Sequence, residues 1–215
     1  GTWMRGDPAL LEELTWAGID MVSRANNHTG DYGVEGLRLT TRYVDEAGLV
    51  HAGAGESLAE AREARFLETA RGRVAIISMA STFPEHSRAG EARGSMRSRP
   101  GLSPLRYTTT RAASAGQIDR LGEALEAVGI RFNRTESGAQ ALGTVFVEGR
   151  EPGVITTPNS DDLAEIAAVV NNASRLADHV LVTIHAHESK GARSVPADFI
   201  VEFARAMIDA GATMF

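Results

Sequence analysis

One junction recurs four times along the chain: a helical run, a glycine, then an apolar residue. It stands at Ala17-Gly18-Ile19, Ala47-Gly48-Leu49, Val128-Gly129-Ile130 and Ala210-Gly211-Ala212. Glycine adopts positive φ without a Cβ clash, so it ends a helix in the left-handed conformation and sends the chain back along it. The apolar residue that follows then opens a strand. Four helix-to-strand joints predict an alternating α/β layout.

Other signals fill in that layout. Asp7-Pro8 reads as a helix start, with the carboxylate able to cap free N–H groups and proline tolerated in the first turn. Ser57-x-x-Glu60 and Ser114-x-x-Gln117 have the spacing of capping boxes. A further helix is predicted over 159–176, with Asp161 and Asp162 in its first turn, where the dipole favours acids. The runs Arg73–Ser81 and His179–Ile184 are short and almost continuously apolar, the pattern of strands covered on both faces. The predicted fold is an α/β layered sandwich in which a mixed, mostly parallel sheet is flanked by helices. It forms one domain over residues 1–215, with an arginine-rich loop insertion over 84–112. A region around 141–148 is weakly patterned β. After the last joint only Thr213-Met214-Phe215 remain, so the final strand is expected to continue beyond this chain.

Composition narrows the function classes. A hydrophobic share of 43% over 215 residues suits a chain with a sizeable core. A formal net charge of −6 argues against a general nucleic-acid binder, which presents a basic surface. With no cysteine, disulfides and thiolate metal sites are excluded, and a metal would have to use His, Asp, Glu, Asn or water. Between Pro84 and Ala112, six arginines (88, 93, 97, 99, 106 and 111) face only Glu85 and Glu91, a local charge of +4. Two readings fit this segment: a solvated loop, or a lid that faces an anion.

Ligand sites in α/β sheets gather at the carboxyl ends of strands. Two polar clusters occupy that place, Asn26, Asn27, His28 and Asp31 after the strand at 19–22, and His185, His187 and Glu188 after the strand at 180–184. Alternation puts His185 and His187 on one side of their strand. Imidazole, carboxylate and amide oxygen suit a divalent ion such as Zn²⁺, Mn²⁺, Mg²⁺ or Fe. The competing reading is ordinary: Asn-Asn as turn chemistry, and histidines as satisfied hydrogen-bonding groups. That ordinary reading is taken for His51, His86 and His179. Gly53-Ala54-Gly55 before a helix has the start of a dinucleotide-binding fingerprint, but Leu58 stands where a third glycine belongs, and the capping box accounts for the glycines.

The stretch Gly18–Arg62, with "ANNHTGDYG" as its most specific element, closely resembles the bacterial capsule-synthesis or poly-γ-glutamate-synthesis CapA-type family. "GRVAIISMAS", "VLVTIHAHE" and "VPADFIVEFARAMIDAGA" extend the resemblance over nearly the whole chain. That family is similar in fold to the calcineurin-like metallophosphoesterases, which implies a centre of one or two divalent ions (Mn, Fe or Zn) at strand ends. By this resemblance Asn27 and His185 are metal ligands, His28 stabilises or protonates a leaving oxygen, and His187, the second catalytic candidate, stands with Glu188 beside His185. Asp31 falls one turn beyond the family's usual acid and is read as orienting His28 or capping the helix near Val34. The resemblance also places a Gly-Asp strand before Gly1 and a Gly-His-x-His motif after Phe215, so further ligands are expected outside the chain. The implied function is making or processing a capsule or poly-γ-glutamate polymer, by metal-dependent hydrolysis of a phosphoester or anionic polymer. The alternative is a non-catalytic accessory or scaffold subunit beside a membrane-bound synthase. The resemblance implies a cell-envelope or extracytoplasmic location.

Overall fold

All four glycine junctions end their helices in the same way in the computed structural model, which describes residues 2–215. At the second, Gly48 has φ +73°, its N–H donates to the Asp45 carbonyl at 2.9 Å, and Leu49 N–H donates to the Val44 carbonyl at 3.2 Å. This pair of bonds is the Schellman arrangement, and it sets Leu49 against Val44 as the closing apolar contact. Gly18, Gly129 and Gly211 have φ values of 78°, 77° and 111° and make the equivalent pairs of bonds.

In chain order, the first elements are α1 (Leu10–Trp16), β1 (Met21–Ser23), α2 (Gly33–Glu46), β2 (Val50–Ala52), β3 (Ala54–Gly55) and α3 (Leu58–Arg62). Next come β4 (Arg65–Thr69), β5 (Gly72–Ala80), a 3₁₀ turn at Glu85–Ser87, β6 (Gly101–Leu102), β7 (Tyr107–Ala113) and α4 (Ala115–Ala127). The chain continues through β8 (Asn133–Thr135), β9 (Gly138–Ala141), β10 (Thr144–Glu148) and β11 (Gly153–Pro158). It ends with α5 (Ser160–Ala173), β12 (His179–His185) and α6 (Asp198–Asp209). Among the described residues no helix is long and apolar enough to cross a membrane.

The chain divides into two compact units. Among the described residues the first comprises 2–106, 160–188 and 203–215. Its centre is β5, paired in parallel with β12 and antiparallel with β4. From Ala75 to Ala80 every β5 residue is buried, as its continuous apolar run predicts. The last residues run parallel beside β12, with Thr213 N–H donating to the Val180 carbonyl at 2.8 Å and Met214 bridging Leu181. Beside this sheet stand the parallel pair β1–β2 and the antiparallel pair β3–β6.

The second unit comprises residues 107–159 and 189–202. Its five strands are ordered β11-β7-β10-β9-β8, and only the β7–β10 pairing is parallel. Ile118 of α4 is buried with Phe132, Ala139 and Ala141, and Leu121, Leu125 and Phe146 pack against them. Ser114 N–H donates to Gln117 Oε1 at 2.9 Å, so one arm of the predicted capping box opens α4.

The α/β class stands, but the expected mostly parallel sheet does not. The strands form four separately bonded sheets in which antiparallel pairings outnumber parallel ones. Three of the antiparallel pairings, β4–β5, β8–β9 and β9–β10, are hairpins that need no crossover helix, and several of the extra strands carry Thr or Arg instead of an apolar run. The arginine-rich stretch is likewise divided, since residues 107–112 belong to β7 in the second unit.

Asp162 is the other departure. The dipole argument places it in the first turn of α5, as observed, yet its side chain is 1% exposed and bound by two arginines. Arg106 donates to it from its backbone N–H at 2.9 Å, from Nε at 2.7 Å and from Nη2 at 2.8 Å, and Arg62 Nη2 donates to Oδ1. Burial pushes this carboxyl upward, but the Arg106 bonds and the two guanidinium charges outweigh it and hold Asp162 below the usual carboxylate range.

Two stability measurements follow. Nothing lies within 4 Å of a Cβ added at Gly48, so Gly48→Ala meets only the left-handed backbone penalty. Urea unfolding should show a loss of about 1–2 kcal/mol. Asp162→Asn removes the charge that answers Arg106 and leaves the buried Arg62 paired with Glu165, and the same measurement should lose about 3–5 kcal/mol.

Candidate functional site

The loop after β1 is tied down almost residue by residue. Arg24 N–H donates to the Ala52 carbonyl at 2.9 Å, extending the β1–β2 pairing. Its guanidinium is buried and reaches α2, donating to Thr41 Oγ1 at 2.6 Å and to the Leu37 carbonyl at 2.9 Å. Burial lowers the Arg24 pKa to about 10, with the charges of Asp45 and Glu60 opposing that shift. Asn26 Oδ1 accepts the His28 N–H at 2.8 Å, and Thr29 Oγ1 accepts the Asn26 N–H at 3.0 Å. Asn26 therefore does turn work, as the ordinary reading of Asn-Asn has it. Asn27 differs: its carboxamide makes no hydrogen bond among the described residues.

Asp31 orients His28. Its Oδ2 lies 2.8 Å from His28 Nδ1 and also accepts the Met4 N–H at 2.8 Å. The Met4 bond first, and then the bond to His28, hold the Asp31 carboxyl below its ordinary value. An ionised Asp31 keeps the proton on His28 Nδ1 and leaves Nε2 as the free ring nitrogen. The helix itself opens at Gly33, so Asp31 is not its cap.

The second cluster hangs from the end of β12. His185 pairs with Ala80 in the β5–β12 register, and Ser81 N–H donates to the His185 carbonyl at 3.0 Å. The His185 and His187 rings meet edge-on, with centroids 4.8 Å apart. His185 Nε2 is buried with no hydrogen-bond partner. Burial first, then the His187 charge, lower the His185 pKa below its ordinary 6.5, and Glu188 opposes this while His28 adds to it.

Two links show how the clusters meet within the first unit. Ser23 Oγ lies 2.6 Å from Ser78 Oγ, and two residues later Ala25 packs with Ala80. Matching steps of two mean that β1 runs in the same direction as β5, so both clusters leave at carboxyl ends on one rim. The effect of the His28 charge on His185 is the electrostatic sign of that proximity. His86, read from the sequence as ordinary, is close enough for its charge to act on Asp31.

The other sequence candidates fare differently. The backbone amides that open α3 are already taken: Ala59 N–H donates to Glu91 and Glu60 N–H donates to Ser57 Oγ. The dinucleotide reading of Gly53–Gly55 therefore loses two of the amides at this helix start that it would use. Among the six arginines, Arg106 is held by Asp162, Arg88 pairs with Glu85 at 2.7 Å, and Arg99 Nε donates to the Arg88 carbonyl at 2.8 Å. Arg93 and Arg97 are exposed.

A resident ion would need several donors. His185 Nε2, buried and unpaired, fits a ligand position, and the unbonded Asn27 carboxamide fits a second. Among the described residues no group of three or more His, Cys, Asp or Glu side chains is arranged to hold an ion.

The lowered His185 pKa has a definite sign. The folded state favours the neutral ring, so the stability this group contributes is complete above pH 6.5 and is lost as pH falls through the folded value. A ¹⁵N-detected NMR titration should place His185 below 6.5, and His187→Gln should move it upward by removing the second cause.

Residues 2–215 match the model of a family described as bacterial capsule synthesis protein PGA_cap. Two relatives from Sinorhizobium fredii, described as uncharacterized proteins y4sH and y4uA, are each 39% identical over 211 residues. The aligned region covers 97% of this chain and 46% of each relative, so the chain spans about half the length of the curated relatives it matches.

Proposed function

Because the chain belongs to the bacterial capsule synthesis protein family, we propose that the rim carrying Asn27, His28, His185 and His187 is a metal-dependent hydrolytic site. Its substrate is a phosphoester or an anionic polymer of the cell surface. The observation that carries this reading is one juxtaposition: a histidine aimed by a carboxylate, within electrostatic reach of a half-buried imidazole whose buried Nε2 has no partner.

In this reading Asn27 and His185 contribute ligands to a divalent ion, Mn, Fe or Zn, and such an ion supplies Lewis acidity and an activated water. The resemblance to metallophosphoesterases supports a site for a second ion. His28 supplies the acid. With Nδ1 committed to Asp31, Nε2 is the ring atom through which His28 exchanges a proton with a departing oxygen. His187, in edge contact with His185, takes or returns a proton on the other side of the rim. The exposed Arg93 and Arg97 suit a polyanion approaching this unit.

The test uses the full-length protein loaded with Mn²⁺, Fe²⁺ or Zn²⁺ and assayed on bis-p-nitrophenyl phosphate and on poly-γ-glutamate. His28→Ala should lower turnover by about 10²–10⁴ while leaving metal content unchanged. His185→Ala should lower metal content itself. Full activity in His28→Ala would remove that residue from the chemistry. A protein that binds polymer but carries no metal and turns nothing over would instead be the accessory subunit of a synthase.

A further inference from the structure

Beyond the rim residues themselves, two hydroxyls at the end of β5 hold the chain that carries the histidine pair. Ser81 Oγ donates to Glu188 Oε2 at 2.7 Å, and Thr82 Oγ1 donates to Glu188 Oε1 at 2.8 Å. The His187 N–H donates to Thr82 Oγ1 at 2.9 Å and lies 3.1 Å from Glu188 Oε2. One residue earlier the strand ladder ends with Ser81 N–H on the His185 carbonyl. The backbone from 185 to 188 is therefore gripped at a carbonyl, an amide and a side chain, all by Ser81 and Thr82. Without that grip the segment would leave the sheet free at the point where both imidazoles project.

We propose that Ser81, Thr82 and Glu188 form a clasp that positions the His185–His187 pair, with Glu188 acting as a positioning residue through its bonds to the two hydroxyls. Neither hydroxyl nor the carboxylate has to touch the substrate. A bond network that orients ligand side chains is worth about 10–100-fold in metal affinity. The geometry is specific: Thr82 Oγ1 accepts from the amide of one histidine and donates to the carboxylate, so a methyl group in its place breaks two bonds at once. Serine at the same position keeps both.

The inference rests on the proposed metal role of His185 for only one of its two readouts. The first readout needs no metal: ¹⁵N-detected spectra of the His185 and His187 rings in the full-length protein. Thr82→Val should shift and broaden both sets of ring signals, and Thr82→Ser should restore them, with the thermal midpoint measured alongside. The second readout is Co²⁺ titration followed by its visible spectrum, where Thr82→Val and Glu188→Gln should each weaken binding by about 10–100-fold and Thr82→Ser should not. Unchanged ring signals and unchanged Co²⁺ affinity in a folded Thr82→Val protein would overturn the clasp. If Thr82→Val does not fold, Ser81→Ala takes its place, since it removes one carboxylate bond and no backbone bond: shifted ring signals support the clasp and unchanged ones overturn it. Wild-type protein that binds no Co²⁺, yet whose ring signals respond to Thr82→Val, would sink the metal reading and leave the clasp standing.

Discussion

The parallel pairing of β5 with β12 is the constraint on which the candidate site depends. Seven consecutive residue pairs, from His179 with Val74 to His185 with Ala80, bring segments a hundred residues apart into one register. A parallel pair cannot be closed by a tight turn, so the intervening chain is free to build other elements, including the whole five-stranded sheet of the second unit. What the pairing fixes is where each strand stops. Because Ala80 and His185 are partners, Ser81 and Thr82 emerge beside His187 and Glu188, and the contact of Ala25 with Ala80 brings the Asn27–His28 loop to the same end. A slip by one residue would turn His185 to the opposite face of the sheet.

Around that frame, the polar groups taken out of water are answered locally, and this gives the loops their shape. Arg24 is buried but reaches a hydroxyl and a carbonyl of α2, which pins the start of the histidine loop to the helix that follows it. Asp162 is buried but receives Arg106 and Arg62, which ties the first turn of α5 to the end of α3 and the strand region before β7. Such buried ionic groups contribute modestly to net stability compared with an apolar replacement, yet removing one partner is costly, so they act mainly by excluding other arrangements. Some buried atoms are left unanswered among the described residues, in His51, Arg62, Ser87, Ser103 and His185, and His185 Nε2 is the one that stands at the end of β12 beside His187.

Much of the scaffold was legible. The four glycine junctions, the two apolar strands at β5 and β12, and the serine caps of α3 and α4 all depend on local chemistry within about six residues, and all are found where the sequence places them. The strands β4, β7 and β11 were not legible, because "RFLET", "YTTTRAA" and "GVITTP" lack an apolar run and owe their conformation to the partner beside them. At the site, the two histidine clusters could be read from their place after strands. The hydroxyls of Ser81 and Thr82 could not, since serine and threonine after a strand are common in loops that do nothing further.

By itself, then, the sequence determined the family, the α/β class, the helix ends, and which residues have donors suited to an ion. These follow from backbone preference and side-chain chemistry, which are properties of short segments. Only the tertiary structure decided that Asp31 aims His28, that His185 Nε2 is buried while Asn26 serves a turn, and that Glu188 is held by hydroxyls more than a hundred residues away. Those outcomes turn on distances between segments remote in sequence, set by strand register and burial, and no local pattern encodes a distance across the fold.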